Sequence, residues 1–228
     1  MMKIGIIGYG KMGQEIEKIA LKKGHEIICK INSKNKKTLN KKTLSKIDVA
    51  IDFSTPNSAF KNIKMCITNR TPIISGTTGW LNQLDEVKKL CVKHNSAFLH
   101  APNFSIGMNL FFEINNYIAK LMNDKDYNIL IEEKHHIMKK DTPSGTAIKI
   151  EDDIYKHNKG KIKIPILSKR IGKVKGEHII QYISPIDTIK ISHKAHNRKG
   201  FAEGAIIAAE FIQNKQGVFS MNDVINNL

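Results

Sequence analysis

The feature that most constrains this chain is Gly8-Tyr9-Gly10-Lys11-Met12-Gly13, set where one periodicity gives way to another. Before it, Lys3 to Ile7 is a short apolar run that reads as a buried strand. After it, Lys11 to Lys23 carries Met12, Ile16, Ile19 and Ala20 at helical spacing. Glycines in the pattern GxGxxG between a strand and a helix make a loop that accepts the pyrophosphate of a dinucleotide. The first allows the tight turn, the second lets the backbone approach the phosphates, and the third lets helix and strand pack closely. The free N–H groups at the helix start then face the anion. All six residues are expected cofactor contacts. The rival reading, glycines used only as turns, fits the strand-to-helix context less well.

The alternation continues. Gly24 ends the first helix, and Glu26 to Ile31 reads as a second strand, followed by a polar, lysine-rich loop. Ile47 to Phe53 is a third strand, and Pro56 and Asn57 open a helix running to about Asn69. Pro72 to Ser75, a helix over Leu81 to Lys93, and Ser96 to His100 complete the series. Short apolar strands separated by helices predict a parallel sheet with right-handed crossovers. Beyond this point the pattern changes. Ser105 to Met122 is one long helix, Tyr127 to Glu132 a strand, and Ser144 to Tyr155 a helix begun by Pro143 and Ser144. Ile162 to Arg170, Glu177 to Ile183 and Thr188 to His193 are strand-like with no helix between them, which predicts a mixed or mostly antiparallel sheet. Phe201 to Gln213 is an apolar helix expected to pack back on the first part. The predicted fold is therefore α/β: a Rossmann-type parallel-sheet domain over 1–104 with 201–228, plus a smaller α+β domain with a mixed sheet over 105–200.

Composition narrows the setting. No apolar run among the 228 residues approaches the roughly 18 needed to cross a membrane, and the apolar N-terminus turns into glycines too soon for a signal peptide. Cys29, Cys66 and Cys91 stand far apart with no CxxC, which reads as small buried side chains in a reducing, cytoplasmic compartment. The net charge of +16 raises nucleic-acid binding. Yet only Arg70, Arg170 and Arg198 among the 37 basic residues are arginine, and base readout favours arginine forks. The lysines, dense only from Lys34 to Lys46, read as a solvated surface whose field draws in anionic ligands. Neither nucleic acid nor membrane is an expected partner.

Two loops fall at the carboxyl ends of parallel strands, where open α/β sheets bind ligands: Ser75-Gly76-Thr77-Thr78-Gly79-Trp80 and His100-Ala101-Pro102-Asn103-Phe104. Gly and Thr there can present amides and hydroxyls to a nicotinamide carboxamide, or serve as ordinary loops. At the end of the second strand an NAD-selective site normally carries an acid, about 20 residues past the glycines, to hold the ribose 2′-hydroxyl. Ile28-Cys29-Lys30-Ile31-Asn32-Ser33-Lys34 has none. With no carboxylate to repel a 2′-phosphate, and Lys30 or Lys34 to meet it, the expected cofactor is NADPH or NADH, with NADPH accepted at least as well.

The densest chemistry lies between Glu132 and Thr146. His135 and His136, Lys139 four residues after the first histidine, and the turn Pro143-Ser144-Gly145-Thr146 share one connection. A helix start offers amides to a carboxylate, a lysine offers a point charge, and a histidine of near-neutral pKa can pass a proton. Adjacent histidines can also be structural. His135, His136, His178, His193 and His196 could in principle gather around zinc, but no Cys is near, and His193-Lys194-Ala195-His196 spans a strand-to-loop change. No metal is expected.

These stretches resemble the 4-hydroxy-tetrahydrodipicolinate reductase (dihydrodipicolinate reductase) family nearly end to end. GYGKMG at 8–13, DFSTP at 52–56, GTTGW at 76–80, APNFSIGMN at 101–109, HHIMKKDTPSGTA at 135–147, RIGKVKGEH at 170–178 and RKGFAEG at 198–204 carry the likeness, and HHxxKxDxPSGT is its most specific part. The resemblance implies a substrate domain that also builds a homotetramer. It implies an enzyme of lysine and diaminopimelate biosynthesis whose substrate is a small cyclic dicarboxylate. The substrate loses water and takes hydride from NAD(P)H, giving tetrahydrodipicolinate. His135 would donate the proton, Lys139 would be its cationic partner, and His136 would touch substrate. Gly145 and Thr146 would hold a carboxylate, while Gly76, Thr77 and Thr78, with Ala101, Pro102, Asn103 and Phe104, would meet the nicotinamide end. The chain departs from the family at Ile137, where arginine is usual. The alternative is another Rossmann-fold NAD(P)H-dependent reductase of a small imine or carbonyl acid, which would lack HHxxKxDxPSGT.

Overall fold

The computed structural model describes residues 1–158 and 164–228. Its strands are β1 (Lys3–Ile7), β2 (Glu26–Ile31), β3 (Val49–Asp52), β4 (Ile73–Ser75), β5 (Ala97–His100), β6 (Asn128–His135), β7 (Ile166–Arg170), β8 (Glu177–Ile183), β9 (Thr188–Lys194) and β10 (Gly217–Phe219). The helices are α1 (Lys11–Lys22), α2 (Lys41–Leu44), α3 (Pro56–Thr68), α4 (Leu84–Lys93), α5 (Ile106–Met122), α6 (Gly145–Asn158), α7 (Lys199–Ile212) and α8 (Met221–Ile225). They form two compact units, Met1–Ile106 with Lys199–Leu228, and Gly107–Arg198.

The first unit is a six-stranded sheet in the order β10-β5-β4-β3-β1-β2, with every pair parallel. The chain leaves β1 for β2 on one side and returns to β3 on the other, so the switch point of this open sheet lies at the carboxyl ends of β1 and β3. Successive residues of a strand point to opposite faces. Ile51 therefore joins a core with Ile16 and Ala20 of α1 and Ala205 and Ile206 of α7. Its neighbour Ala50 joins another with Ile63 and Ile67 of α3 and Val87 of α4. Both faces are covered, which is why these strands read as unbroken apolar runs. Each isoleucine so buried contributes about 1.5–3 kcal/mol, and truncating Ile63 to alanine would cost roughly 2–5 kcal/mol.

Three elements were not expected from the sequence. The lysine-rich loop contains α2, capped by Asn40, whose side chain accepts from Thr43 N at 3.1 Å, and it buries Leu39 and Leu44. Four helical residues amid lysines are too few to show a period. After α7 the chain adds a sixth strand, β10, and then α8, started by a reciprocal Ser220–Asp223 capping box. A three-residue strand likewise leaves no alternation to read.

The second unit is a four-stranded sheet, β7-β6-β8-β9, with β6 parallel to β7 and antiparallel to β8, and β8 antiparallel to β9. It is the mixed sheet expected. Ile129, Ile131, Ile180 and Tyr182 share one core with Phe111 and Phe112 of α5 and Ile150 and Ile154 of α6. Strand β6 runs three residues past the expected end at Glu132, to His135. Charged residues from Glu132 to Lys134 read as a strand end. The pleat nevertheless continues, with Ile129, Ile131, Glu133 and His135 buried and Leu130, Glu132 and Lys134 only half-buried. His135 thus stands on a strand, not in the connection. The strand expected from Ile162 begins at Ile166; residues 162 and 163 lie outside the described residues. No described helix is long and apolar enough to cross a membrane.

Candidate active site

In the first unit the glycine loop meets its structural demands. Gly8 has φ +94°, and a side chain there would collide with the Phe53 carbonyl. One at Gly13 would collide with the Gly8 carbonyl, whereas Gly10 faces open space. Gly10 is also the N-cap of α1 and supplies no capping side chain, so the first-turn N–H groups remain for a phosphate. Lys11, Met12 and Gly13 open the helix itself. Tyr9 stands beside a cavity of about 670 Å³ that also touches Gly8, Gly10, Asn32, Ser33, Ser54 and Thr55. Its basic walls are Lys36, Lys37 and Lys61, which sequence reasoning missed. The only sequence signal was the lysine density itself.

Lys30 and Lys34 do not line this cavity. Lys30 reaches Glu17 of α1, Nζ to Oε1 at 3.0 Å, with its ammonium 5.1 Å from the Tyr9 ring centroid. The Tyr9 hydroxyl donates to the other Glu17 oxygen. The hydrogen bonds from Tyr9 and then Lys30 hold the Glu17 carboxyl below the usual range. Lys34 is exposed, its N–H donating to Asn32 Oδ1 at 2.9 Å.

The two nicotinamide-end loops are brought together by the ends of β4 and β5. Ala101 N donates to Ser75 O at 3.2 Å, and the Phe53 and Phe104 rings stand 5.6 Å apart. Gly76 leaves room for the Phe53 ring. Pro102 is exposed, and Asn103 Oδ1 accepts from Ser105 N at 2.9 Å. Behind them lies Asp52, 0% exposed. Its Oδ2 accepts from Ser75 Oγ at 3.0 Å and Thr77 Oγ1 at 2.7 Å, and its Oδ1 from Asn62 Nδ2 at 3.2 Å. Burial raises its pKa against the pull of these donors. Thr77 Oγ1 also accepts from Ser54 N at 2.9 Å, so this hydroxyl is spent inside the turn. Thr78 is exposed. Sequence reasoning missed Asp52, whose only signal was an acid ending an apolar strand.

In the second unit Glu133 links His135 to Ser144, the residue before Gly145, and His136 lies in the field of His135 and Lys139. His135 Nδ1 lies 3.2 Å from Oε2 of Glu133, a carboxylate with 0% exposure. The two approach as an ion pair, off the line of a straight hydrogen bond. Glu133 Oε1 accepts from Ser144 N and from Arg170 Nη2, both at 3.1 Å. Burial alone would raise the Glu133 pKa, but the His135 imidazole beside it, then the donors Ser144, Ser168 and Arg170, overcome this and hold the carboxyl well below its usual range. His178, directly opposite Glu133 in the sheet register, packs edge-on to His135 with centroids 5.1 Å apart. Burial, then the charge of His135, push its pKa down to about 3.

Around this core, Ser144 Oγ caps α6 by accepting from Ala147 N at 3.2 Å. Gly145 and Thr146 form the first helical turn, where N–H groups have no intrahelical partner. Lys139 is half-buried and paired with Asp141 at 2.9 Å. His136 is half-buried, and desolvation, then Arg198, His135, Lys139 and Lys175, lower its pKa. Arg198 and Lys175 add to the cations foreseen in the sequence. Ile137, where arginine was expected, is 66% exposed. Glu133, His135 and His178 bring possible metal-ligand atoms within 4.8 Å of one another. The Arg170 guanidinium bonds the other oxygen of the same carboxylate and already balances its charge.

A parallel sheet with a glycine loop and an uncapped helix start at its switch point, followed by a mixed-sheet domain, is the architecture of two-domain pyridine-nucleotide-dependent reductases. The chain belongs, more narrowly, to the dihydrodipicolinate reductase family, whose N-terminal model matches residues 2–104 and whose C-terminal model matches residues 107–225. It is 45% identical, over all of its length and 99% of the relative's, to 4-hydroxy-tetrahydrodipicolinate reductase of Christiangramia forsetii. It is 36% identical, over 80% of its length and 81% of the relative's, to the enzyme of the same name from Alkaliphilus oremlandii. A dipicolinate-bound dihydrodipicolinate reductase from Paenisporosarcina sp. TG-14 shares the fold, with a TM-score of 0.82 at 24% identity, covering 96% of this chain and 97% of the other.

Proposed function

We infer that the protein reduces 4-hydroxy-tetrahydrodipicolinate to tetrahydrodipicolinate, with loss of water, in lysine and diaminopimelate biosynthesis. The observation that carries this reading is the meeting of His135, His136, Lys139 and the Gly145–Thr146 turn in one unit, in a chain that aligns along its whole length with a relative named for the reaction. A dianionic substrate needs cations and free amides. Lys139, Lys175 and Arg198 supply the first and the start of α6 the second.

The cofactor's fit rests on the uncapped start of α1 and the open side of Gly10. Gly8 to Gly13 would hold its phosphates, and Gly76 to Thr78 with Ala101 to Phe104 its nicotinamide end, through backbone groups at Thr77. A reduced nicotinamide supplies the hydride. The conjugated imine that accepts it becomes an enamine needing a proton at carbon, which His135 delivers. Lys139 steadies the negative charge of the bound dicarboxylate. NADPH serves at least as well as NADH, because no acid stands at the end of β2 and Lys36, Lys37 and Lys61 line the cavity.

The enzyme works as a homotetramer joined through the sheet of the second unit. In support, β7 and β9 are free edges with no fully buried residue, and Leu167 and Ile189 are exposed. A monomer mass by light scattering at micromolar concentration would refute this. Three free cysteines suit a cytoplasmic setting. The decisive test is NADPH and NADH oxidation with substrate formed in situ from pyruvate and aspartate semialdehyde. Activity is expected, and His135→Gln should lower kcat roughly a hundredfold or more while nucleotide binding holds. Absence of turnover with both cofactors would defeat the reading.

A further inference from the structure

We propose that Glu133 is a positioning residue for this reaction: one buried carboxylate sets the tautomer and orientation of His135 and anchors the turn that presents the Gly145 and Thr146 amides. The proposal rests on the reading of His135 as proton donor.

The sheet dictates the arrangement. Glu133 and His135 are two residues apart on β6 and so share the inward face, the same face that carries Ile129 and Ile131 into the core. The antiparallel register sets His178 opposite Glu133, and the parallel register sets Arg170 opposite His135. A carboxylate placed there is surrounded. Oε2 faces His135 Nδ1 at 3.2 Å and His178 Nε2 at 3.9 Å, while Oε1 takes Ser144 N and Arg170 Nη2. Arg170 Nη2 also donates to the Asp141 carbonyl and to Thr142 Oγ1, the latter at 2.9 Å. Glu133 and Arg170 together therefore bind both ends of the segment 141–144, which leads directly into the amides of α6.

The consequence for His135 follows from donor and acceptor counting. An ionised carboxylate only accepts, so at 3.2 Å its charge favours hydrogen on the imidazole nitrogen facing it, although the two are not aligned as a straight hydrogen bond. With Nδ1 so committed, Nε2 is the nitrogen that gains and gives the catalytic proton. Its side of the ring is left clear by Gly176, where a side chain would begin 3.3 Å from Nε2. The charged and titratable groups facing Glu133 are His135 on its own strand, Arg170 on β7 and His178 on β8. Lys139 and His193 act on it through His178. His178 stays neutral at ordinary pH, so the one negative charge serves Arg170 and the imidazolium form of His135.

The test combines variants with a spectroscopic readout. In the wild-type enzyme, nitrogen-15 NMR of the histidine rings should show neutral His135 protonated at Nδ1. Glu133→Gln should lower kcat by roughly a hundredfold or more, toward the roughly 10⁴-fold loss that follows removal of an orienting carboxylate in a histidine-based triad. Substrate KM should change far less, because Lys139 and the α6 amides remain. The basic limb of the kcat/KM profile should move to lower pH by about one unit, since the imidazolium loses its counter-charge. Glu133→Asp, which keeps the charge on a shorter arm, should recover part of both effects. A wild-type His135 protonated at Nε2 overturns the proposal without any variant, as does a Glu133→Gln enzyme that loses kcat with limb and tautomer unmoved. If His135→Gln is inactive while Glu133→Gln behaves as wild type, this proposal alone falls. If His135→Gln is fully active, the proton-donor reading falls and takes it along.

Discussion

Asp52 and Glu133 invite comparison, because both are carboxylates wholly removed from solvent and they are driven in opposite directions. Asp52, at the end of β3, is met by two hydroxyls and a side-chain amide, and burial pushes its pKa up. Glu133, near the end of β6, is met by a guanidinium, an imidazole and a backbone amide, and its pKa is held well down. Asp52 is the more deeply enclosed of the two, and its burial outweighs its donors. The hydrogen bonds to Glu133, from groups that include an imidazole and a guanidinium, outweigh its burial. Neutral donors compensate the lost hydration of an anion only in part, whereas a cation at 3 Å in a poorly polarisable surrounding more than restores it. The first carboxylate is suited to holding a turn together and the second to holding the His135 imidazole and the Arg170 guanidinium in place.

The largest effect that could break this distinction is on stability. Arg170→Met should destabilise the fold by about 3 kcal/mol, because it leaves a buried anion without its permanent cation. Thr77→Val, which removes one donor from Asp52, should cost only about 1–3 kcal/mol. Urea denaturation of the two variants compares them, and equal losses would mean that Glu133 is not held as an ion.

A second effect is the acid limb of stability. His178 has a folded pKa of about 3 against an ordinary 6.5, so between those values the unfolded chain binds the extra proton. Stability is then complete above the ordinary histidine value and falls as pH drops through the window, by about 2 kcal/mol from pH 7 to pH 5. Glu133, with its depressed pKa, adds to the loss below the usual carboxylate range. Asp52, with its raised pKa, binds its proton more readily in the folded state and works the other way. Melting curves against pH should therefore flatten in His178→Gln and steepen in Asp52→Asn. A slope unchanged in His178→Gln would show that this histidine does not resist protonation.

The smallest effect concerns the cofactor. Exposed lysines are individually weak partners, so Lys36→Ala or Lys37→Ala should lower the NADPH-to-NADH ratio of kcat/KM only about threefold to tenfold. Lys30→Ala, which breaks the pair with Glu17, should change the ratio less. A larger loss from Lys30→Ala would mean that this lysine leaves Glu17 when the nucleotide binds.

Much of this was legible in the chain. The phosphate loop, the parallel strands of the first unit and the helices around them are local matters, in which apolar period, glycine and proline act within a dozen residues. His135, His136, Lys139, Gly145 and Thr146 could be proposed together from the chain, because one short stretch carries them all. The misses share a cause. Strand β10 and helix α2 are too short for a period, and the end of β6 is masked by charge. Lys30 was the reasonable phosphate reader by position, but its geometry gives it to Glu17, 13 residues earlier.

The sequence by itself determined that a dinucleotide-type sheet would form and that a mixed sheet would follow, and it singled out the stretch proposed to carry the chemistry. Only the tertiary structure decided what the buried acids do. Glu133, Arg170 and His178 are separated by 37 and 45 residues along the chain, and strand register alone sets them side by side. Asp52 meets Thr77 across 25 residues in the same way. Hydrophobic period is a property of neighbouring residues and survives in one dimension. The ionisation of a carboxylate depends on distance, burial and the charge of whatever stands opposite, and those quantities exist only once the sheet has closed.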